Sequence, residues 1–331
     1  MKKAIWIVIG CAVVIGAGIL IGRERAQGTQ EIEERATTEY TEGTELLEQK
    51  ESREPTGNPP QVSDVVLTLA DPETDYQTRL DAMRKLGYEI PQQDIDALKD
   101  FLVADISADV KISRGAYNSV RNDLYEVLLR QKEMPEGLGD LLVGVVDNPD
   151  QDGMWRNYCI QFMQPFYERA AAENGGVEGI SNIEQGTAND EGSKELSVVR
   201  DALWDALGER ENSNAGTALL GLDKLSRNHS EFDREEIDAA MLDLASDEEA
   251  SVANRITAIR MCGEQGNAQA LGTARNLAQN GDTTMLRCAA IATLGELGTE
   301  DDLALLETYA ASTDKRIQRI AQNSLKKLAS E

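Results

Sequence analysis

Apolar residues downstream of residue 61 recur three, four and seven positions apart, the spacing that places side chains on one face of an α-helix. The pattern also repeats at longer range. Residues 255–266 and 287–298 lie 32 positions apart and share Arg, Ala, Ile, Gly, Glu and Gly in register. One unit of this length cannot bury its apolar face alone, so the repeat predicts a stack of helical units rather than a closed globule.

Seven copies of one helix follow this register. It runs from an arginine to a small or apolar residue three positions on, an apolar residue seven positions on and often a glycine eight positions on. The seven-on position is predicted to be core in every unit and holds Leu86, Leu128, Met163, Leu225, Cys262, Leu294 and Leu325. The three-on position holds mostly small side chains, which predicts close helix packing: Ala82, Leu124, Cys159, Gly221, Ala258, Ala290 and Ala321.

A second amphipathic segment lies between successive copies, at roughly 91–104, 136–146, 194–208, 233–246, 267–279 and 300–311. Each unit is therefore predicted to be a helix pair, which gives about six pairs and a terminal helix. Because strand signals are few, we expect an all-α fold. Residues 61–331 are predicted to form one right-handed α-solenoid.

With its arginine before an alanine-rich helix that ends in Leu-Gly, the chain resembles the HEAT-repeat family, especially the short bacterial HEAT-like type. The resemblance is good over 250–329, fair over 71–104 and weak over 105–249. It implies a solenoid whose second helices line the concave side. Some relatives of the short type are bilin lyases, but no residue here marks that chemistry.

Residues 4–22 form an uncharged, mostly apolar run that is long enough to cross a bilayer as a helix. We expect an uncleaved, single-pass anchor over residues 1–22. A cleaved export signal and a lipoprotein signal at Val8-Ile9-Gly10-Cys11 remain open alternatives. The flanking charges favour an N-in orientation, which would make the solenoid extracytoplasmic.

Residues 23–60 are rich in Glu, Thr, Gln and Gly and contain one aromatic residue, Tyr40. Such a segment has too little apolar surface to fold alone. It is predicted to be a disordered acidic tether between the anchor and the solenoid.

The net charge of −26 is uneven along the chain. Ten of the 59 acidic residues lie in 23–60 and seven of the 33 basic residues precede residue 61, which leaves 49 acidic and 26 basic residues over 61–331. Such a surface repels phosphates, so we expect no binding to nucleic acid. The acidity is more typical of a solvated surface than of an acidic docking site, although the sequence leaves both open.

Few residues are candidates for catalysis, metal binding or disulfide formation. Cys159 and Cys262 fall in the recurring core positions and are predicted to be buried thiols, whereas Cys288 lies on a helix flank. His229 is the only histidine and is predicted to lie in a turn, with no nucleophile or metal ligands placed around it. No disulfide framework is indicated.

Residues 148–153 resemble the first half of a calcium-binding loop. The position that should hold a bidentate Glu is Cys159, and that departure removes two oxygen ligands. A turn between helices, with Asp152 capping the next helix, explains the same residues and is preferred.

Aromatic residues crowd the middle of the chain, where helical spacing predicts that most are core: Tyr117, Tyr125, Trp155, Tyr158, Phe162, Phe166 and Tyr167. Beside them, residues 173–193 form a Gly-, Asn- and Glu-rich insertion between the two helices of the third unit. Long loops are often functional or disordered, so this insertion is the first place to look for a binding hot spot.

These features favour a membrane-tethered scaffold that binds a protein or peptide and has no catalysis of its own. No catalytic, cofactor-binding or metal-binding residue is assigned. The alternatives are an enzyme accessory subunit, including a bilin-lyase-like protein, and a structural spacer of the cell envelope. A smooth, uniformly acidic concave face would favour the spacer.

Overall fold

The computed structural model describes residues 62–106, 110–173 and 191–329, without the side chains of 191–193. The chain divides into two compact units, Met1–Gly57 and Asn58–Glu331, and the described residues all belong to the second. The anchor and the tether predicted from the sequence lie outside the described residues. Among the helices that are described, none is long and apolar enough to span a bilayer.

Every regular element in the described ranges is helical, as the all-α prediction requires. Three short 3₁₀ turns, Ala206–Gly208, Ala268–Ala270 and Glu300–Asp302, adjoin the longer helices. The α-helices are α1 (Asp64–Ala70), α2 (Tyr76–Met83), α3 (Gln92–Val103), α4 (Arg114–Leu129), α5 (Leu138–Asp147), α6 (Gly153–Glu173), α7 (Glu191–Asp205), α8 (Asn214–Leu225), α9 (Arg234–Ser246), α10 (Val252–Glu264), α11 (Leu271–Asn280), α12 (Thr284–Leu297), α13 (Leu303–Ala310) and α14 (Lys315–Leu328).

The seven predicted copies of the repeated helix are the even-numbered helices, which we call the first helices. The six predicted intervening segments are the odd-numbered helices from α3 onward. The structure adds α1, which the pattern does not predict, and we call the odd-numbered set the second helices. The first helices contact one another in succession from α2 to α14. Contacts between second helices join α1 to α3, α3 to α5, α5 to α7 and α9 to α11.

The pairing differs from the prediction. Most second helices pack mainly against the first helix that follows them, as in α9 with α10, α11 with α12 and α13 with α14, whereas α7 contacts α6 as well as α8. With α1 included, the described helices form seven such hairpins instead of six pairs and a terminal helix. The predicted insertion lies between α6 and α7, which contact each other, as the sequence predicts for two helices of one unit. Its residues 174–190 lie outside the described part of the chain.

Polar caps explain where many of these helices begin. Asp75 accepts a hydrogen bond from the backbone N–H of Thr78 at 3.0 Å, and Ser251 accepts one from that of Asn254 at 3.3 Å. Each cap satisfies a backbone donor that the first turn of a helix leaves unpaired.

Burial confirms the register. All seven residues of the three-on position are buried. In the seven-on position only Leu86 and Leu325 are half-buried. Leu86 follows the end of α2 and Leu325 lies on α14, and each of these two first helices contacts only one other described first helix. The other five are fully buried: Leu128, Met163, Leu225, Cys262 and Leu294.

The arginine of the register has a structural role. Its guanidinium donates to backbone carbonyls at the end of the preceding second helix, which lack helical partners and carry the negative end of the helix dipole. Gln318 makes the same contact with Ala310 at 3.2 Å. The arginine contacts are Arg79 with Leu69 and Asp71, Arg121 with Ala104, Arg156 with Val146, Arg255 with Ala245, and Arg287 with Ala278.

The glycine of the register allows successive first helices to approach closely. A Cβ on Gly295 would lie 2.7 Å from Cα of Ser324, and one on Gly263 would lie 3.2 Å from Cα of Thr293. At these contacts Ser324 donates to the carbonyl of Ile291 at 2.8 Å. Thr293 likewise bonds to the first helix before it. The close approach therefore locks one first helix onto the next.

Candidate interaction surface

The exposed charges of the second helices are almost all negative. We call their exposed surface the acidic face. Among the basic residues of the described second helices, Lys194 is fully exposed, and Lys99, Arg200, Arg234 and Arg275 are partly exposed. The exposed acidic residues are Asp64 on α1, Asp96 and Asp100 on α3, Asp140 and Asp147 on α5, Asp201 and Asp205 on α7, Glu235, Glu236 and Asp243 on α9, and Glu307 on α13.

On the first helices, exposed basic residues outnumber exposed acidic residues. Within the described ranges, their exposed acidic residues are Asp81, Glu173 and Glu264. Their exposed basic residues are Arg114, Lys224, Arg260, Lys315, Arg316, Arg319, Lys326 and Lys327. A surface that was acidic only for solubility would carry negative charge on both sets of helices. The structure instead separates the charges by helix set.

Helix stability does not explain the positions of several of these acids. Asp100, Asp147 and Asp205 lie in the last turns of α3, α5 and α7, where the helix dipole disfavours negative charge. Basic residues are absent from the last turns of these three helices. The arginine contacts described above offset part of this cost after α3 and α5. The exposed carboxylates themselves add nothing to helix stability.

The three aspartates also lack ion-pair partners among the described residues, whereas other acids of the face are engaged. Asp201 pairs with Arg200 at 3.1 Å and Asp243 pairs with Arg210 at 2.5 Å. Hydrogen bonds to Asp247 and Asp243 raise the pKa of Arg210. Because α5 contacts both α3 and α7, the helices that carry Asp100, Asp147 and Asp205 form one continuous part of the acidic face.

Glu195 on α7 is a half-buried carboxyl group near the start of α5. Burial raises the pKa of Glu195 on α7, and the nearby Asp140 carboxylate raises it further. Backbone hydrogen bonds from Asp140, Gly139 and Gly137, at the start of α5, oppose these effects. Glu195 on α7 therefore lies close to the first turn of α5.

His229 lies in the turn between α8 and α9, as predicted, but its ring is buried. It packs edge-on against Tyr167, with ring centroids 5.3 Å apart. Tyr167 donates to Glu231 at 2.8 Å, and burial together with this bond raises the pKa of the Tyr167 hydroxyl. The recorded contacts of the His229 ring are thus with the aromatic rings of Tyr167 and Phe232 and with the Glu231 carboxylate.

The thiols lie where the sequence places them: Cys159 and Cys262 are buried, and Cys288 is half-exposed. Burial raises the pKa of Cys262 to about 12. Cys159 is fully enclosed, so it cannot complete a calcium site with residues 148–153. In the described part of the chain, no group of three or more His, Cys, Asp or Glu residues could hold a metal ion.

Asp152 has the capping role predicted for it. Its Oδ1 accepts hydrogen bonds from the backbone N–H groups of Met154 at 3.0 Å and Trp155 at 3.2 Å, at the start of α6. The same oxygen accepts from Asn118 at 2.6 Å, which ties α4 to α6. These contacts explain the loop without a metal.

The crowded aromatic residues are core, as predicted. Tyr158 is half-buried, and the others are buried: Tyr117, Tyr125, Trp155, Phe162, Phe166 and Tyr167. Trp155 donates to the carbonyl of Leu102 at 3.0 Å, so its one polar group is satisfied. In the sequence, charge is counted by segment and attention goes to the neighbouring insertion, so the separation of charge between the two sets of helices is not predicted.

Comparison with known proteins supports the repeat assignment. A family model described as HEAT repeats matches residues 239–326. Human deoxyhypusine hydroxylase, solved in complex with glycerol, is 17% identical over 81% of this chain and 95% of its own, with a TM-score of 0.31. The Escherichia coli protein YibA is 16% identical over 82% of this chain and 93% of its own, with a TM-score of 0.43. No curated protein matches the sequence.

Proposed function

We propose, from the premise that this chain is a HEAT-repeat protein, that it is a membrane-tethered scaffold without catalysis of its own. Its acidic face binds a basic, extended segment of a protein partner. The proposal includes a right-handed solenoid whose second helices line the concave side, as the family resemblance implies. HEAT repeats commonly mediate protein–protein interactions, which is consistent with this role.

The separation of charge between the two sets of helices is the observation that carries the proposal. Negative charge that served only to keep the protein soluble would not need to avoid the first helices. It would also not favour the last turns of α3, α5 and α7, where the helix dipole opposes it. A basic partner segment would supply the missing countercharges along that row.

The expected affinity comes from many weak contacts. An exposed ion pair contributes roughly 0.2–1 kcal/mol, so no single aspartate would dominate binding. Several pairs along an extended segment would add up, and screening would make binding decrease strongly with salt. Charge would also speed association more than it strengthens the final complex.

A peptide-binding experiment tests the location of the site. The probe is a fluorescent, extended peptide rich in Lys and Arg, measured by anisotropy at a fixed physiological ionic strength. The second-helix variant carries Asp100→Lys, Asp147→Lys and Asp205→Lys, and a lysine in the last turn of a helix is favourable to folding. Its affinity should decrease by about tenfold or more, because each tenfold corresponds to about 1.4 kcal/mol spread over three lost attractions.

A matched control makes the same change of charge on the other set of helices. The first-helix variant carries Asp81→Lys, Glu173→Lys and Glu264→Lys, the three exposed acids of the first helices. Since both variants change the net charge equally, the first-helix variant should bind the peptide within about threefold of the wild type, less than 1 kcal/mol. Equal weakening in the two variants would mean that the peptide senses only the overall charge, and the proposed face would be wrong.

Membrane tethering by residues 4–22 is the second part of the proposal and rests on their apolar composition. The protein should remain in the membrane fraction after both high salt and alkaline carbonate, because a spanning helix does not depend on surface charge contacts. Recovery of the intact chain in the soluble fraction would refute the anchor. A lipid on Cys11 would identify a lipoprotein instead.

A structural spacer of the cell envelope is the second candidate function. Such a protein is expected to have a uniformly acidic face, and most exposed charged residues of the second helices are acidic. The face is not uniform, however, because α11 exposes Asn276, Gln279 and Asn280 and no acidic residue. A spacer would bind the basic peptide no better through the acidic face than through the first helices. The paired variants above therefore separate the two functions.

A further inference from the structure

Helix α14 presents a basic surface. Its exposed charges are all positive: Lys315, Arg316, Arg319, Lys326 and Lys327. Three of these side chains have local partners, since Arg316 pairs with Asp314 at 3.3 Å, Lys327 pairs with Glu296, and Lys315 donates to Gln318 at 2.9 Å. Arg319 and Lys326 have no ion pair among the described residues. We call the exposed surface of α14 the basic face.

The basic face disfavours the packing of a further repeat onto α14. Lys326 occupies the eight-on position of α14, where Gly263 and Gly295 allow the next first helix to approach α10 and α12. A lysine there prevents a helix from packing at the distance that those glycines permit. Any partner of this face must therefore meet the ends of long charged side chains rather than a flat helix surface.

The complementary surface lies on the same chain. Lys315 and Arg319 are four residues apart, as are Asp201 and Asp205 on α7. Arg319 and Lys326 are seven residues apart, as are Asp140 and Asp147 on α5. On a helix these spacings correspond to about 6 Å and about 10.5 Å along the axis. The charges of the two faces are thus opposite in sign, and these pairs have the same spacings along their helices.

We infer that the basic face of one copy docks onto the α3–α5–α7 part of the acidic face of a second copy. This inference rests on the proposed function, because it assigns an occupant to the same face when no partner is bound. The contact joins two different surfaces, so it is heterologous and can extend from copy to copy. A basic partner would compete with it and would release the copies from one another.

The large negative charge of the chain opposes this contact at long range. At physiological salt the screening length is about 8 Å, so the facing groups determine the interaction more than the total charge does. Association should therefore be weakest at very low salt, where whole molecules repel, and again at high salt, where the facing charges are screened. An intermediate maximum distinguishes this contact from hydrophobic association, which salt does not weaken in this way.

The experiment is sedimentation equilibrium of the full chain in a nonionic detergent over a range of salt concentrations. The α14 variant carries Arg319→Glu and Lys326→Glu, and a milder version carries Arg319→Gln and Lys326→Gln in case charge reversal disturbs the helix. Lys224→Glu with Arg260→Glu is the matched control on other first helices. The α14 variant should associate at least about tenfold more weakly than the wild type and the control, and the milder version should lie in between.

Mixing variants tests whether the contact is heterologous. Neither the α14 variant nor the second-helix variant with lysines at 100, 147 and 205 should associate by itself. An equimolar mixture should form dimers that do not grow further, because the intact basic face of one can bind the intact acidic face of the other. Unchanged self-association of the α14 variant, or a mixture that stays monomeric, would overturn the inference.

Two further measurements distinguish the failure of this inference from the failure of the proposed function. The α14 variant should bind the basic peptide as the wild type does. If it does so but still self-associates like the wild type, the inference about the second copy is wrong while the proposed function stands. Vesicles containing about one-third anionic lipid provide the other arm. If the wild type binds them through Arg319 and Lys326 and the mixture shows no dimer, the basic face serves a lipid surface and the second copy is excluded.

Discussion

Replacing Asp302 by Asn tests how one unit of the solenoid is joined to the next. Asp302 is buried and lies in the 3₁₀ turn before α13. Its two oxygens accept hydrogen bonds from Arg275 on α11, Nε at 2.7 Å and Nη2 at 2.9 Å. It also accepts from the backbone N–H of Thr299 at 2.9 Å, which completes a capping box. One carboxylate therefore links two second helices and caps the turn.

The expected loss follows from these contacts. Asn keeps one acceptor but places an NH₂ group against Arg275 or Thr299, so at least one donor loses its partner. A hydrogen bond to a charged group contributes about 1.5–3 kcal/mol, and an unpaired buried group costs a similar amount. Arg275 is 39% exposed, so solvent screens part of its interaction with Asp302. We therefore expect the free energy of unfolding to decrease by about 2–3 kcal/mol, less than the sum of the two contributions.

Asp301→Asn is the matched control, because Asp301 is exposed in the same turn. It should change the free energy of unfolding by less than about 0.5 kcal/mol. Urea unfolding followed by circular dichroism gives the global effect, and hydrogen exchange over 271–310 gives the local one, since repeat proteins can open in parts. Equal stability of the two variants would show that the bidentate contact does not join the units.

The same carboxylate predicts a dependence on pH. The hydrogen bonds from Arg275 hold the pKa of Asp302 below its ordinary value. Its contribution is therefore present above the pKa of the unfolded chain and is lost as pH falls through the pKa of the folded state. The difference in stability between wild type and Asp302→Asn should shrink in acid, and a difference that grew there would contradict the assignment.

Three further predictions concern the packing. Leu294→Asp should unfold at least the C-terminal repeats, because the charge is buried without a partner, and a normal urea transition would show that the register is wrong. Gly295→Ala should destabilise by about 1–3 kcal/mol through its contact with the next helix, whereas Gly144→Ala, which meets no atom within 4 Å, should stabilise by about 0.5–1 kcal/mol in the same assay. Cys288 should react with a thiol reagent before Cys262, whose pKa burial raises to about 12, and mass spectrometry of the labelled peptides would detect the reverse order.

Much of the fold could be predicted because helical periodicity is a local property of the chain. The register around Leu294 and Ala290 identified every first helix, and the amphipathic segments between them identified six of the seven second helices. Helix α1 was missed because its seven residues, Asp64–Ala70, span fewer than two full turns and carry too short a pattern. The buried thiols followed from the same register, and the cap at Asp152 followed from turn chemistry.

The sequence by itself determined the class of fold, the core positions and the absence of a recognisable catalytic motif, since each depends on residues close together along the chain. Only the tertiary structure decided which helices pair, why the register begins with an arginine and where the negative charge lies. Arg156 reaches a carbonyl beyond a turn, and the helices that carry Asp100, Asp147 and Asp205 pack in succession, α3 against α5 and α5 against α7. Such contacts join residues that are distant in sequence, so no local pattern of spacing or composition records them.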